Sequence, residues 1–274
     1  TETIQVYTIT IESSNAEYGT VDEATLSIPY GTTYQVEGND LVFSNGARVT
    51  PTPASSDAQY TYTFTGWSET SGTITGEETI IANFERITNS YIVTIENENA
   101  DYGSIDNMSI TVPYGTVYRV ENNTIIFETD EEIVVTATAL DNTAQYTYAF
   151  KGWSVSTGSI TGAMTIRASF TRTINQYEVS IESNNTSYGR VDTTSVTVDY
   201  GSTISETFNE LKIGDHTIVA TPTADTPEYD YTFTGWTYSS STVTGEMTIV
   251  ANFVRTMDEY IVTIESSNVD YGSV

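Results

Sequence analysis

The sequence predicts an all-β chain of three tandem small β modules in an extended rod, followed by the start of a fourth. Three observations carry this prediction. An aromatic stretch, Tyr60-Thr61-Tyr62-Thr63-Phe64-Thr65-Gly66-Trp67, recurs at 146–153 and 229–236, and these copies hold all three tryptophans of the 274-residue chain. Recurrence at a long period is the mark of a repeat architecture. The composition has 20 tyrosines, abundant Thr and Ser, and lysine only at Lys151 and Lys212. That suits sheets with hydroxyl-rich faces and not helices. Finally, the landmarks within each copy keep nearly constant spacing.

A lead-in of residues 1–6 precedes repeat one at 7–90, repeat two at 91–176, repeat three at 177–259 and a partial fourth at 260–274. Each repeat opens with a tyrosine followed by alternating Val/Ile and polar residues: Tyr7 to Glu12, Tyr91 to Glu96, Tyr177 to Glu182 and Tyr260 to Glu265. That is the period-two pattern of a strand with one buried face. A Tyr-Gly pair lies 11 residues on in every copy, and a second Tyr-Gly lies 12 beyond it in the three complete ones. The aromatic strand reaches its Trp after 7 residues, the terminal Phe84, Phe170 or Phe253 follows after 17, and the next opening Tyr after 7. One interval varies, from the second Tyr-Gly to the aromatic strand: 30, 32 and 29 residues, giving periods of 84, 86 and 83. Constant intervals are strands and turns in a shared register, so the variable one holds the tolerant loops. Its turn signals are Gly38-Asn39, Asn45-Gly46, Asn122-Asn123 and Gly214-Asp215. Asn45-Gly46 reads as a hairpin. About seven short strands per repeat are expected, and for Glu206 to Leu211 one helical turn is the alternative.

Core positions follow from side-chain parity. Tyr62, Phe64, Trp67 and Phe84 form the motif of repeat one, with Tyr148, Phe150, Trp153 and Phe170 in repeat two and Tyr231, Phe233, Trp236 and Phe253 in repeat three. Strict alternation places each Trp on the face opposite its Phe. Either the Trp sits on the polar face, or the preceding Gly makes a bulge that returns it to the core. The six residues joining one repeat to the next contain no Gly or Pro and always one arginine: Arg86, Arg172 or Arg255. A constant β-prone join points to a fixed connection, unlike a Gly/Ser linker. Its arginine either pairs with a carboxylate or faces solvent.

As a set these motifs, the Tyr-x-Val-Thr-Ile opening, the Tyr-Gly turn, the aromatic-x-Phe-x-Gly-Trp strand and the Ile-x-Ala-x-Phe ending, resemble the divergent internalin B-type repeat, also called the Listeria–Bacteroides repeat. The resemblance covers nearly the whole chain, three times, and the long variable interval departs from the family pattern. It implies small all-β modules of β-grasp-like or sandwich-like build in secreted or wall-attached microbial surface proteins. There such repeats act as stalks and as adhesion or interaction segments without catalytic residues.

Composition narrows the chemistry. The net charge of −28 repels phosphate backbones and anionic membranes, so no nucleic acid and no membrane insertion are expected. Without cysteine there is no disulfide framework, thiol catalysis or Cys-bound zinc. No apolar run reaches the roughly 20 residues of a membrane span. No signal peptide opens the chain and it stops part-way through a unit, so it reads as a mature segment or a fragment of something longer. His216 is the sole histidine, so no triad or His-based metal site recurs. Glu12, Glu96, Glu182 and Glu265 recur, as do Asp22, Asp106 and Asp192, and recurrence in every copy argues for structure over catalysis. No cofactor is expected, although abundant oxygen ligands leave calcium open at turns or junctions. Lys151 and Lys212 are not equivalent, which disfavours isopeptide cross-links. Glycosylation sequons stand at Asn107, Asn122, Asn184 and Asn185.

The functional expectation is therefore a structural, non-enzymatic stalk or fibre segment, adhesin-like or filament-forming, at the cell surface or in a secreted fibre. Partners would be copies of itself, other surface proteins, or host or environmental glycans. The alternatives are a polymerising filament subunit using strand-edge contacts and a carbohydrate-binding module built on exposed Trp67, Trp153 and Trp236.

Overall fold

The computed structural model describes residues 3–267 and residue 270, and every regular element among them is a β-strand. In repeat one the strands are β1 (Val6–Ser13), β2 (Gly19–Val21), β3 (Thr25–Pro29), β4 (Thr33–Glu37), β5 (Asp40–Phe43), β6 (Arg48–Val49), β7 (Pro51–Pro53), β8 (Tyr60–Trp67), β9 (Ser71–Thr73) and β10 (Glu78–Thr88). They form a mixed four-stranded sheet in the order β3-β1-β10-β8 and a four-stranded antiparallel sheet β6-β5-β4-β9, with β2 paired to β7 beside it. Strand β1 runs parallel to β10, with Ile11 opposite Ile80. A parallel pair requires a long crossover, and here the crossover builds the second sheet. In repeat two the second sheet is one run of five strands, Gly103–Ile105, Ile133–Ala139, Thr124–Phe127, Val117–Glu121 and Thr157–Ser159.

Each repeat closes a core between its two sheets. In repeat one the first sheet contributes Ile9, Ile11, Ile28, Ile80, Ala82 and Phe84, and the second contributes Tyr34, Leu41, Phe43 and Val49. Separate clusters around Ile95, Phe127 and Ile166, and around Ile181, Leu211 and Ile249, repeat this arrangement. Each fully buried aliphatic side chain contributes about 1.5–3 kcal/mol relative to exposure. By contacts the chain divides into two compact units. One runs up to Thr138 together with Phe150–Phe170, and the other is Ala139–Ala149 with the chain from Thr171 onward.

Two landmarks have a steric cause. A Cβ on Gly19, Gly103 or Gly189 would lie 2.4, 2.4 or 2.3 Å from the ring of Phe84, Phe170 or Phe253, so the first Tyr-Gly pair is where the terminal Phe packs flat on backbone. The second pair, Gly31, Gly115 and Gly201, turns with φ of 80°, 84° and 88°, the left-handed region glycine enters at least cost.

The variable interval resolves into one loop. Beyond the Phe43–Ala47 hydrogen bond repeat one has three loop residues, Ser44 to Gly46. Beyond the Phe127–Ile133 pair repeat two has five, and beyond Ile213–His216 repeat three has two. These differences account for the whole spread of 30, 32 and 29. In repeat two the longer loop is gathered by Arg119, which bonds Glu121, Glu128 and Glu132 at 2.9, 2.9 and 3.2 Å.

Three expectations change, and that of a β-prone join is sharpened. The strands number ten, nine and eight per repeat among the described residues, above the seven expected, because the crossover forms a sheet of its own. The alternative helical turn over Glu206 to Leu211 is a hairpin of Ile204–Thr207 and Glu210–Ile213, whose turn sets Phe208 at φ 52° and leaves it 84% exposed. The join is no linker: β10 runs to Thr88 and the next repeat's first strand begins at Ser90, leaving Asn89 alone between them. The opening of the fourth copy, Tyr260 to Glu265, is not a strand, and Ile261 is 96% exposed. In repeat one that strand lies between β3 and β10. Residues 1 and 2 of the lead-in and the Tyr271-Gly272 landmark lie outside the described residues.

Candidate functional site at the junctions between repeats

The aromatic strand carries the three tryptophans. Gly66, Gly152 and Gly235 adopt φ of 133°, 151° and 135°. Strand β8 slips register against β10 here: Gly66 faces Asn83, whereas Phe64 faces Phe84. The extra residue is a bulge, and it returns the Trp to the core face. Trp67 and Trp236 are buried and Trp153 is half-buried. In each copy the Phe sits edge-on between Trp and terminal Phe, with centroid distances of 5.5 and 5.5 Å for Phe64, 5.6 and 5.5 Å for Phe150, and 5.4 and 5.5 Å for Phe233. Such edge-to-face pairs contribute about 0.5–1.5 kcal/mol beyond area burial.

One indole is better satisfied than the others. Trp67 Nε1 donates to the Asn39 carbonyl at 2.8 Å, while Trp153 and Trp236 Nε1 are buried without a partner among the described residues. The equivalent carbonyls, of Asn123 and Asn209, accept from the backbone N–H of Ala137 and Ala220. In repeat one that position is Pro51, which has no N–H to give.

Tyr62 and Tyr231 pack on Tyr18 and Tyr188 at 5.8 and 5.7 Å, and Tyr148 is half-exposed beside Tyr146 at 6.2 Å. The junction arginines stack on rings. The guanidinium of Arg86 lies 4.1 Å from the Tyr60 centroid and 5.2 Å from that of Tyr18. Arg172 lies 4.4 Å from Tyr146, and Arg255 lies 4.1 Å from Tyr229 and 5.3 Å from Tyr188. A cation over a tyrosine face in a half-exposed site contributes about 0.5–1 kcal/mol.

The decisive residue at the junction is the one between the strands. Asn89 N–H donates to Gln59 O at 2.9 Å, and its carbonyl accepts from Tyr114 N–H at 2.8 Å. Its side-chain Nδ2 donates to the carbonyls of Asp57 and Ala58 at 2.9 and 3.1 Å, and its Oδ1 accepts from Thr61 Oγ1 at 2.6 Å. Two residues on, the Tyr91 hydroxyl donates to the same Ala58 carbonyl at 2.5 Å. Asn175 repeats this: Nδ2 to Thr143 O and Ala144 O at 2.9 and 3.0 Å, Oδ1 from Thr147 at 2.7 Å, and Tyr177 to Ala144 O at 2.6 Å. Every donor of each asparagine is used and both of its oxygens accept. The clamp thus ties the end of one repeat, the loop before its aromatic strand and the first strand of the next. Sequence reasoning singled out the arginine and missed the asparagine. The signal was there: two residues before the second, third and fourth opening Tyr stand Asn89, Asn175 and Asp258.

The remaining candidates have structural surroundings. Asp22, Asp106 and Asp192 accept from the backbone N–H of Thr50, Thr136 and Val219 at 2.7, 2.9 and 2.9 Å. Glu96 pairs with Arg167 at 3.0 Å. His216 is exposed at a hairpin turn. Among the described residues no three His, Cys, Asp or Glu side chains are grouped to hold a metal ion. Of the sequons, Asn107 and Asn122 are exposed, and Asn185 accepts from Ser187 N–H at 3.0 Å. The amide of Asn184 is engaged at both ends by the backbone of Phe253, at 2.9 and 3.1 Å.

No family model matches the chain, and no curated protein matches it. The internalin B-type resemblance therefore stands on the motif residues alone. Among solved structures the chain is similar to domains 3-4 of the streptococcal high identity repeats in tandem from a cell surface protein, at 13% identity and a TM-score of 0.32, over 62% of this chain and 99% of that one.

Proposed function

We propose that the chain is a non-catalytic spacer from an extracellular microbial surface protein, a run of closed β modules that carries something else away from the cell. The observation that supports this reading most is the asparagine clamp, made twice with the same atoms at Asn89 and Asn175. A repeat that served only as a bead would need no such tie to its neighbour. The inward Trp67 and Trp236 favour a spacer over a sugar platform, since stacking on a sugar requires an exposed ring face. The surface charge of −28 keeps chains apart in solution.

Sedimentation velocity and small-angle scattering on chains shortened by whole repeats test this. The expected result is a monomer whose maximum dimension shrinks by an equal step per repeat removed. Polymers growing with concentration would replace this reading with the filament one. Quenching of Trp fluorescence on a glycan panel would replace it with the carbohydrate-binding one.

A further inference from the structure

At the third junction the clamp has different chemistry. The place of Asn89 and Asn175 is taken by Asp258, and the place of their partners Thr61 and Thr147 is taken by Asp230. The surrounding frame is unchanged: Asp258 N–H donates to Glu228 O at 3.0 Å, and the Tyr260 hydroxyl donates to Pro227 O at 2.5 Å. An asparagine here offers two N–H groups to two backbone carbonyls. An ionised aspartate offers none, and it meets a second carboxylate where the other junctions have a hydroxyl. Two carboxylates in hydrogen-bonding contact are held together by one shared proton and driven apart when both ionise.

We propose that this third junction is a proton-operated latch. In acid, one proton shared by Asp230 and Asp258 restores the hydrogen bond that Thr and Asn make elsewhere, and it holds residues 258–260 against the loop 225–228. Once Asp230 gives up that proton the two side chains repel and the segment lets go, while the two asparagine junctions stay closed.

The electrostatic surroundings agree with this. The Asp258 charge, then burial, then the Asp225 charge hold the Asp230 carboxyl above its ordinary value. Asp225 accepts from Tyr231 N–H at 2.8 Å. The cation next along the chain, Arg255, is drawn off over the rings of Tyr229 and Tyr188. A carboxyl whose folded value is raised binds its proton more tightly when the latch is closed. The latch is therefore strongest below the ordinary carboxylate range and weakens as pH rises through the raised value.

The test is amide hydrogen exchange on the full chain by NMR, compared as protection factors at about pH 4 and about pH 8, either side of the carboxylate range. Three amides are read together: Asn89, Asn175 and Asp258. Expected is loss of protection at Asp258 alone on going to the higher pH. In the variant Asp230→Thr with Asp258→Asn, which installs the chemistry of the other junctions, protection should persist at both. Carboxyl-carbon titration gives the second readout: Asp258→Asn should return Asp230 towards the ordinary carboxylate range. Equal protection of Asp258 at both pH values overturns the latch. So does loss at all three junctions together, or a titration of Asp230 that ignores the Asp258 substitution.

Discussion

Single residues at fixed landmarks have separable causes. Gly19, Gly103 and Gly189 are glycine because a ring lies where their Cβ would be, whereas Gly31, Gly115 and Gly201 are glycine because the backbone turns to positive φ. Gly19→Ala keeps an ordinary backbone but drives a methyl into the Phe84 ring, so it should cost about 1–3 kcal/mol as overpacking does. The denaturant midpoint should fall with an unchanged m-value. Gly76→Ala, where a Cβ meets nothing within 4 Å and φ is not positive, is the control and should stay within about 0.5 kcal/mol. Equal effects at the two sites would discredit the ring contact. Tyr34 shows the same dependence on neighbours: burial first, and then the Glu78 charge, push its phenol up to about 12. Repeats two and three carry Met164 and Met247 at the Glu78 position.

At the scale of elements, the fold divides into an invariant sheet and an adjustable one. The β3-β1-β10-β8 sheet recurs with the same strand order in each repeat, while the second sheet absorbs three, five or two residues in one hairpin loop. A loop at the surface tolerates such changes because closure entropy grows slowly with length. The junction belongs to the invariant part. Asn175→Ala removes two donors and one acceptor from a half-exposed site, where water partly replaces them, so a loss of about 1–2 kcal/mol is expected. Hydrogen exchange should place that loss at Asn175 and Tyr177, with the core around Ile181 and Ile249 unaffected. A uniform loss across repeat three would show that the clamp serves the core and not the junction.

For the whole molecule, charge is the governing quantity. Thirty-seven carboxylates face nine basic residues, and several of those bases are committed: Arg119 to three glutamates, Arg86 and Arg255 to tyrosine rings. The folded chain therefore stores self-repulsion that salt should relieve. Raising ionic strength from about 0.01 M to about 1 M shortens the screening length from about 30 Å to about 3 Å, and the thermal midpoint should rise accordingly. A midpoint that falls with sodium chloride would mean that attractive pairs such as Arg167–Glu96 outweigh the repulsion.

Much of this was legible from spacing. A period-two pattern needs no tertiary knowledge, because alternation alone puts Ile9 and Ile11 on one face, and constant intervals marked the rigid sheet. The Asn or Asp two residues before the opening Tyr at each of the three joins was equally periodic, yet a lone polar residue in a polar join carries no sign of what it bonds. Only the fold brings the loop at 57–61 to the end of β10, and only then does Asn89 find two carbonyls and a hydroxyl. The bulge was similar: the Gly before each Trp left two directions open, and the register slip of β8 against β10 chose between them. The count of strands escaped because a crossover reads as loop until its hairpins meet. What the sequence determined by itself was the repeat, the strand faces and the place where length varies, all of them local or periodic properties. The tertiary structure decided where the tryptophans point and which atoms close the junctions, because those depend on partners 15 or more residues apart in the chain.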